Sequence, residues 1–182
     1  VALKPLHDYA KIKRVIVSTY QSVSGAGSKG LSDLEAQSKA YGKGEKMPEP
    51  KKFPYQIAFN LIPQIDVFDP NGYTKEEMKM TNETMKIMGD KNIAVSATCV
   101  RVPVFRAHSE SVWIETEKPL SAEKAKELLS NAKGIELMDD VNKSVYPTPV
   151  QSANMQKTYV GRVRSDISCK NGLVFWVVSD NL

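Results

Sequence analysis

The alternation of apolar and polar positions at the start of the chain predicts a helix, a strand and a second helix. Apolar residues near helical spacing are Val1, Leu3, Leu6 and Tyr9 or Ala10. Residues 14–19 (RVIVST) form a β-branched run of strand length, which we expect to be buried on both faces. The second helix is expected to begin after Gly30, in LSDLEAQSKAY.

The middle of the chain contains the clearest helix signal. Residues 43–54 are rich in Lys, Pro and Glu and predict a surface loop. The following stretch, YQIAFNLIPQIDVF, is apolar and extended, with a break at Pro63. In TKEEMKMTNETMKIMGD, Thr74 is the predicted N-cap, Glu77 completes a capping box and Gly89 ends the helix.

The next segment predicts two strands. Residues 93–104 (IAVSATCVRVPV) form a strand that Pro103 must interrupt or bend, because proline cannot donate a hydrogen bond to a neighbouring strand. The second strand, SVWIETEKPL, shows an alternating pattern at Val112, Ile114 and Thr116.

A further helix and a hairpin complete the pattern. Ser121 caps the helix AEKAKELLSNA, which ends at Gly134. YVGRVRSDIS and GLVFWVVSD are strands joined around Asn171 and Gly172, a strong hairpin signal. Paired strands interrupted by helices predict an α+β fold, with a mixed parallel/antiparallel sheet and helices on one face.

Composition narrows the class of protein. The chain has 182 residues, of which 41% are hydrophobic, and we expect residues 1–182 to form a single domain. The sequence at both ends suggests that the chain is an excerpt of a longer protein. The net charge of +4 is scattered, so we expect no nucleic-acid partner, and no apolar run approaches the roughly 18 residues of a membrane span. Cys99 and Cys169 form no CxxC pair, which favours a reduced, cytoplasmic protein without a metal site.

The chain has two histidines, His7 and His108, and these are the candidate acid/base groups. His7 lies on the polar side of the first helix and is expected to be a surface residue. Arg101 lies seven positions before His108, so the two would face opposite sides of a regular strand, but a bend at Pro103 could bring them together. The arginine could then hold a carboxylate while the imidazole moves a proton. The alternative is a strand-end histidine beside a surface ion pair.

Two further features have both structural and functional interpretations. Charged residues at helical spacing (Glu76, Lys79, Glu83, Lys86) form one stripe and methionines (Met78, Met85, Met88) form another, a pattern typical of a solvated face and a buried one. The loop SGAGSKG lacks both the dinucleotide and the phosphate-loop order of glycines. Gly25 and Gly27 give backbone room in which peptide N–H groups can approach a ligand, and Gln21 could orient a substrate.

Five segments, in order, resemble the second half of the bacterial aspartate-β-semialdehyde dehydrogenase family. They are VSTYQSVSGAG, FNLIPQID, YTKEEMKMTNETMKIM, VSATCVRVPVFRAHSESV and FWVVSDNL. The resemblance implies the C-terminal domain fold of the glyceraldehyde-3-phosphate dehydrogenase-like family. It also implies an NADP-dependent enzyme that makes aspartate β-semialdehyde from β-aspartyl phosphate for lysine, diaminopimelate, threonine and methionine biosynthesis. A homodimer or tetramer is expected.

The resemblance also implies roles for individual residues. His108 matches the family's acid/base histidine, Arg101 the arginine that binds the substrate α-carboxylate, and Gln21 the glutamine that orients substrate. Glu76 matches the substrate-binding acid and Lys79 the phosphate-binding lysine. The nicotinamide end of the cofactor is expected to face Ser24, Gly25 and Asn181.

The family's nucleophilic cysteine, its N-terminal NADP-binding domain and its final helix have no counterpart in this sequence. Cys99 and Cys169 occupy other places and are expected to be structural. The loop glycines are expected to give clearance to a neighbour outside this chain. We therefore expect the chain alone to be inactive, as the substrate-binding and dimerisation half of the enzyme. The alternatives are a standalone dimerisation module and an unrelated α+β binding domain.

Overall fold

The computed structural model describes residues 1–182 and contains one six-stranded sheet. The strands are β1 (Ile12–Gln21), β2 (Ala94–Arg101), β3 (His108–Thr116), β4 (Ile135–Leu137), β5 (Thr158–Ser165) and β6 (Gly172–Ser179). The helices are α1 (Leu3–Ala10), α2 (Gly27–Gly42), α3 (Lys75–Met88), α4 (Ala122–Ser130) and the short α5 (Pro149–Ser152), with 3₁₀ turns at Val23–Ala26 and Val141–Lys143. None of the helices combines the length and the apolar character that crossing a bilayer requires.

The sheet is mixed, as predicted, with strand order β2-β1-β3-β6-β5-β4. β1 and β2 run parallel, as do β4 and β5, whereas β3 and β6 pair antiparallel with their neighbours. The hairpin predicted around Asn171 and Gly172 is the β5–β6 pair. The predicted strand at 93–104 ends at Arg101, before Pro103, and the second helix begins at Gly27, earlier than expected.

Helix α3 has the predicted ends. The Thr74 hydroxyl accepts from the Glu77 N–H at 3.3 Å, and the Glu77 carboxylate accepts from the Thr74 N–H at 2.8 Å, which completes the capping box. Gly89 ends the helix in the left-handed conformation, with φ of 70°. Ser121 likewise caps α4 by accepting from the Lys124 N–H.

The outer edge of β2 is closed by α3 and by the extended segment before it. The other Glu77 carboxylate oxygen accepts from the Cys99 N–H at 2.9 Å. Ile62 and Arg101 exchange two backbone hydrogen bonds, of 3.0 and 2.9 Å. The apolar segment around Pro63 therefore forms isolated bridges rather than a strand, and the edge of the sheet has no row of unpaired groups at this point.

The core lies between one face of the sheet and the helices. A cluster of 20 buried residues joins Leu6 and Ala10 of α1, Leu129 of α4, Met88 of α3 and inward residues of the strands such as Phe175. This arrangement confirms the prediction of helices on one face. The predicted burial of β1 on both faces is wrong, because its burial alternates and Ile16, on the other face, is 44% exposed.

His7 is buried, so its expected place on the surface is wrong. Its side chain is only 2% exposed, and its Nδ1 accepts from the Ile12 N–H at 3.1 Å. Lys11, with φ of 57°, turns the chain sharply from α1 into β1 and leaves that N–H without a partner in the sheet. The Nε2 of His7 lies 3.7 Å from the Asp90 carboxylate. His7 therefore joins α1, β1 and the segment after α3.

Candidate active site

Four strands each place one residue in a row at the same end of the helix-facing side of the sheet. Gln21 ends β1 beside Arg101, which ends β2. His108 begins β3 beside Ser179, which ends β6. Tyr20 pairs with Ser109, so Gln21 lies opposite His108 across the β1–β3 pair. Because side chains alternate along each strand, all four point to the same side.

The segment between β2 and β3 brings Arg101 and His108 together, as the bend at Pro103 predicted. β2 ends at Arg101 and β3 begins at His108, after Ala107 turns the chain with φ of 72°. Both side chains lie against Gly25. A Cβ atom added to Gly25 would lie 3.0 Å from Arg101 Nη1 and 3.2 Å from His108 Nε2. Arg101 is 6% exposed, so the alternative of a surface ion pair is wrong.

The His108 ring is held by Ser22. The Ser22 N–H donates to His108 Nδ1 at 3.2 Å, and the Ser22 hydroxyl oxygen lies 3.1 Å from the same nitrogen. An Nδ1 that accepts a hydrogen bond leaves the proton of the neutral ring on Nε2. Burial, and then the positive charge of Arg101, lower the pKa of His108 to about 4. The ring is therefore neutral at pH 7.

Arg101 uses only part of its guanidinium within the chain. Nη1 donates to the Ser22 carbonyl oxygen at 2.6 Å, which fixes the side chain at one corner. Burial lowers the Arg101 pKa, and the negative charge of Glu76 opposes that effect. The other N–H groups of Arg101 donate no hydrogen bond within the chain. They form a planar donor pair of the kind that binds carboxylates.

Gln21 and Glu76 are joined across the site. Gln21 Nε2 donates to Glu76 Oε1 at 3.2 Å, and Lys79 Nζ lies 4.0 Å from the other Glu76 oxygen. The Glu76 side chain is 25% exposed, whereas that of Lys79 is 58% exposed. The charged stripe of α3 is thus only partly solvated, since its first member turns into the site. Of the methionine stripe, Met88 is buried in the core.

A cavity of about 360 Å³ lies beside this row, between the sheet, α3 and the start of the chain. Its polar lining includes Gln21, Glu76, Glu83, His108, Glu110 and Ser179. Arg101, Lys79, Ser24, Gly25 and Asn181 are not among the lining residues. The predicted site residues therefore fall into two groups, one on the cavity wall and one against His108.

The glycine-containing loop is packed against its own chain. The N–H groups of Ser24 and Gly25 donate to the carbonyl oxygens of Phe105 and Ser22, so neither is free for a ligand. The expectation that the loop glycines clear space for a neighbour outside the chain is wrong for Gly25, because Arg101 and His108 occupy that space. Gly27 is required for its φ of 76°.

Asn181 connects the loop with the segment before His108. Its side-chain oxygen accepts from the hydroxyls of Ser22 and Ser24, at 3.2 and 3.1 Å, and from the Ala107 N–H at 3.0 Å. The side-chain nitrogen of Asn181 donates no hydrogen bond within the chain. The predicted grouping of Ser24, Gly25 and Asn181 at one place is thus seen, with His108 beside them.

Sequence reasoning missed four residues of this region. Ser22 contacts His108, Asp180 and Arg106 form an ion pair next to Asn181, and Glu110 lines the cavity. Burial raises the pKa of the Glu110 carboxyl. Glu110 had a detectable signal, because it lies two positions after His108 and therefore on the same face of β3.

The mixed sheet with helices on one face has the fold of solved aspartate semialdehyde dehydrogenases, which belong to the glyceraldehyde-3-phosphate dehydrogenase-like class. The family model that describes the semialdehyde dehydrogenase dimerisation domain matches residues 3–182. The chain belongs to that family.

Relatives and solved structures agree with this assignment. The chain is 56% identical over 182 residues to aspartate-semialdehyde dehydrogenase from Aquifex aeolicus, and the alignment covers 100% of this chain and 54% of that protein. It is 50% identical to the Campylobacter jejuni enzyme of the same name, and that alignment covers 99% of this chain and 52% of the enzyme. The structure of aspartate semialdehyde dehydrogenase II from Vibrio cholerae, complexed with ASA, matches with a TM-score of 0.95 at 49% identity, and 100% and 53% are covered. The chain spans about half the length of these relatives.

Proposed function

We propose that this chain is the substrate-binding and dimerisation half of an NADP-dependent aspartate-semialdehyde dehydrogenase. The enzyme reduces β-aspartyl phosphate to L-aspartate β-semialdehyde and releases phosphate, a step toward lysine, threonine and methionine. The observation that carries the proposal is the convergence of Arg101 and His108 on Gly25, next to the Gln21–Glu76 pair. The names of the relatives support it.

The charges of the site suit an amino-acid substrate that carries a phosphate. The free N–H groups of Arg101 would bind the α-carboxylate in a bidentate manner. Glu76, partly neutralised by Lys79 at 4.0 Å, would accept from the α-ammonium group, and Gln21 would hold the Glu76 carboxylate in place. The exposed amine of Lys79 would contact the phosphate. The three charged substrate groups thus meet three different side chains.

His108 would act through Nε2, the ring nitrogen that lies near Gly25. In the neutral ring Nε2 carries the proton and would donate a hydrogen bond to a substrate oxygen. To accept a proton at Nε2, the ring must carry its proton on Nδ1 instead, and to release one from Nε2 without becoming an anion it must carry protons on both nitrogens. Ser22 lies beside Nδ1. The lowered pKa keeps the ring neutral before reaction, as a general base requires.

The region around Asn181 fits one end of a dinucleotide in part. The side-chain N–H groups of Asn181 are free to donate to a carboxamide, whereas the Ser24 hydroxyl and N–H are engaged within the chain. Gly25 leaves no space beyond that filled by Arg101 and His108, so its role is to let them approach. NADPH, when bound, supplies the hydride.

The nucleophile is proposed to lie outside these 182 residues, in a first domain that precedes residues 1–182, which form the second. Cys99 is buried, and burial raises the pKa of its thiol to about 11, so a thiolate is disfavoured. Cys169 is remote from the site row, in the segment between β5 and β6. The chain alone is therefore expected to be inactive. Two free cysteines are consistent with a cytoplasmic enzyme.

The face of the sheet opposite α1, α3 and α4 is proposed as the surface that pairs with a second copy. Ile16 is 44% exposed there, and the rings of Tyr20 and Trp176 are in contact, with centroids 5.4 Å apart. The surface around Ile16 also carries Arg14, Ser18 and Glu115, and a mixture of exposed apolar and polar residues is usual at a subunit interface. This face, and the family's description as a dimerisation domain, favour the second candidate function, a dimerisation module without a catalytic role.

One experiment separates the two candidate functions. The chain is combined with the proposed cysteine-bearing half, and phosphate-dependent reduction of NADP by aspartate β-semialdehyde is measured. We expect activity, and in Arg101→Lys a KM for the semialdehyde at least about tenfold higher, because lysine cannot make the bidentate contact. Lys75→Arg, on the exposed start of α3, is the control. A folded but inactive mixture would favour the dimerisation module.

The pairing surface has its own test. Ile16→Asp is expected to shift the chain from dimer to monomer in size-exclusion chromatography with light scattering. Ile87→Asp, which places the same charge at a 68% exposed position on the helix side, is expected to leave the dimer intact. Equal dimer fractions in both variants would contradict the assignment of this face.

A further inference from the structure

The hydroxyl of Ser22 lies between His108 and Asn181. Its oxygen is 3.1 Å from His108 Nδ1 and 3.2 Å from the Asn181 side-chain oxygen, to which it donates. Ser22 is fully buried, so no solvent can take over either contact. The Ser22 hydroxyl and the Ser22 N–H both lie within hydrogen-bond distance of Nδ1, and a hydrogen bond with the Ala107 backbone also raises the pKa of the ring.

The Ser22 hydroxyl can accept a hydrogen bond when His108 is protonated on Nδ1. When His108 carries a proton on Nδ1, the Ser22 N–H can no longer donate to that nitrogen, and two donors face each other. The Ser22 oxygen has free lone pairs and can accept from Nδ1–H, provided that its own proton has another acceptor. The Asn181 oxygen at 3.2 Å is such an acceptor, and the Ser24 hydroxyl oxygen lies 3.0 Å from the Ser22 oxygen as a second neighbour. The hydroxyl therefore supports the protonation states of His108 that the N–H opposes.

The residues next to Asn181 and Ala107 in sequence, Asp180 and Arg106, form an ion pair, and the Ala107 N–H donates to the Asn181 oxygen. Arg106 Nε donates to both Asp180 carboxylate oxygens at 3.0 Å, and Arg106 Nη2 lies 3.0 Å from one of them. The Asp180 side chain is 5% exposed and also accepts from the N–H groups of Asn154 and Leu182. The hydrogen bond to Arg106 lowers the pKa of Asp180 to about 2, so the pair persists at acidic pH.

We propose that Ser22 is a positioning residue for His108: its hydroxyl accepts a hydrogen bond from Nδ1–H while it donates to the side-chain oxygen of Asn181, the residue that follows the Arg106–Asp180 pair. The acid/base part of this role rests on the proposed function. The hydrogen-bond part concerns the chain itself. With the Ser22 oxygen as acceptor, the ring can carry a proton on Nδ1 that it takes up from solvent, and once it has given its Nε2 proton to the substrate, Nε2 is free to accept one back.

Other charged groups face His108 from several directions, and none of them contacts Nδ1. They are Arg101 on β2, which lowers its pKa, Glu76 on α3 and Asp180 after β6, which raise it, and Glu110 on β3, which lines the same cavity. Removing the Ser22 hydroxyl changes none of these charges. An effect of Ser22→Ala on His108 therefore reports the hydrogen bond.

The first test is the protonated fraction of His108, measured by NMR on the chain at pH 4. The chain has two histidines, and His7→Gln identifies the signal. In Ser22→Ala we expect the protonated fraction to fall from about half to about a tenth, because a hydrogen bond to a charged group is equivalent to about one pKa unit. Ser109→Ala removes a buried hydroxyl without a partner, next to His108, and should change nothing.

The second test is kinetic and uses the chain combined with its proposed cysteine-bearing half. Ser22→Ala should lower kcat about tenfold and leave KM within about twofold, since the substrate-binding groups are intact. An unchanged protonated fraction, or an unchanged kcat, overturns the proposal. If the parent protein shows no semialdehyde-dependent activity, the proposed function is wrong. In that case the NMR measurement alone tests whether Ser22 forms a hydrogen bond to protonated His108.

Discussion

Replacing Gly25 by alanine would place one methyl group against both Arg101 and His108. The added Cβ would lie 3.0 Å from Arg101 Nη1 and 3.2 Å from His108 Cε1 and Nε2. Favourable contacts between such atoms begin at about 3.5 Å, so each side chain must move by about 0.3–0.5 Å. Gly25 does not have a left-handed φ, so an alanine can adopt the same backbone conformation without strain.

The displacement predicts a loss of activity with little loss of stability. A misplacement of 1 Å can cost about a hundredfold in rate, so a shift of about half that distance predicts roughly a tenfold loss in kcat/KM. Alanine also stabilises by about 0.4–1 kcal/mol by restricting the unfolded chain, which offsets part of the crowding. The melting temperature should therefore change by no more than about 4 °C.

The assay is phosphate-dependent reduction of NADP by aspartate β-semialdehyde, with the chain joined to its proposed cysteine-bearing half. Gly42→Ala is the matched control, because a Cβ there meets nothing within 4 Å. We expect the control to keep full activity. A Gly25→Ala variant as active as the control would refute the assignment of Arg101 and His108 as a single site, since their displacement would then have no effect on the reaction.

Three other predictions follow from the same contacts. The pKa of His108 in the folded chain is about 4, below its unfolded value, so the free energy of unfolding in urea should fall more for the parent than for His108→Gln as the pH drops from about 6.5 to 4. Equal losses in the two proteins would contradict the burial of His108 as a neutral ring. Glu77→Gln should cost about 1–3 kcal/mol in urea unfolding, because an amide donor would face one of two backbone N–H groups, while Glu83→Gln costs nothing measurable. Lys79→Met should raise the KM for phosphate about fivefold or more and leave the KM for the semialdehyde unchanged, with Lys86→Met as the control.

The elements that the sequence predicts well are those whose determinants are local. The ends of α3 depend on Thr74, Glu77 and Gly89, all within or next to the helix. The hairpin between β5 and β6 is also predicted, although its connection is residues 166–171 and is longer than a two-residue turn at Asn171 and Gly172. Such signals depend on backbone geometry over a few residues, and tertiary contacts did not override them here.

The errors concern side chains whose surroundings come from distant segments. His7 lies on a helix face that would be polar in isolation, but the turn at Lys11 leaves a backbone N–H that its ring accepts, and Asp90 approaches from the end of α3. Burial of β1 on both faces failed because the helices cover only one side of the sheet. Neither fact is encoded in the local pattern.

The site itself was only partly accessible from residue types. Arg101 and His108 were considered as a pair because a bend at Pro103 could bring them together, although the spacing on a regular strand placed them on opposite sides. Gln21 was named because it lies at the end of a strand before the glycine-containing loop, and the family resemblance added Glu76 and Lys79. Ser22 carried no signal, because a serine in a glycine-containing loop is ordinary and its partners lie far away. His108 and Asn181 are 86 and 159 residues from it in sequence.

These separations determine when the site row can exist during folding. Gln21 and Ser22 meet Arg101 and His108 only after β1 has paired with β2 and β3, and Ser179 and Asn181 reach this site only when β6 has joined β3. Contacts of such sequence separation form late and slowly, because closing the intervening chain costs entropy before any contact offsets it. The helices can form early, because the residues that determine them lie close together in sequence. A nascent chain whose β6 is still inside the ribosome exposes the edge of β3 and lacks Ser179 and Asn181 beside His108 and Ser22.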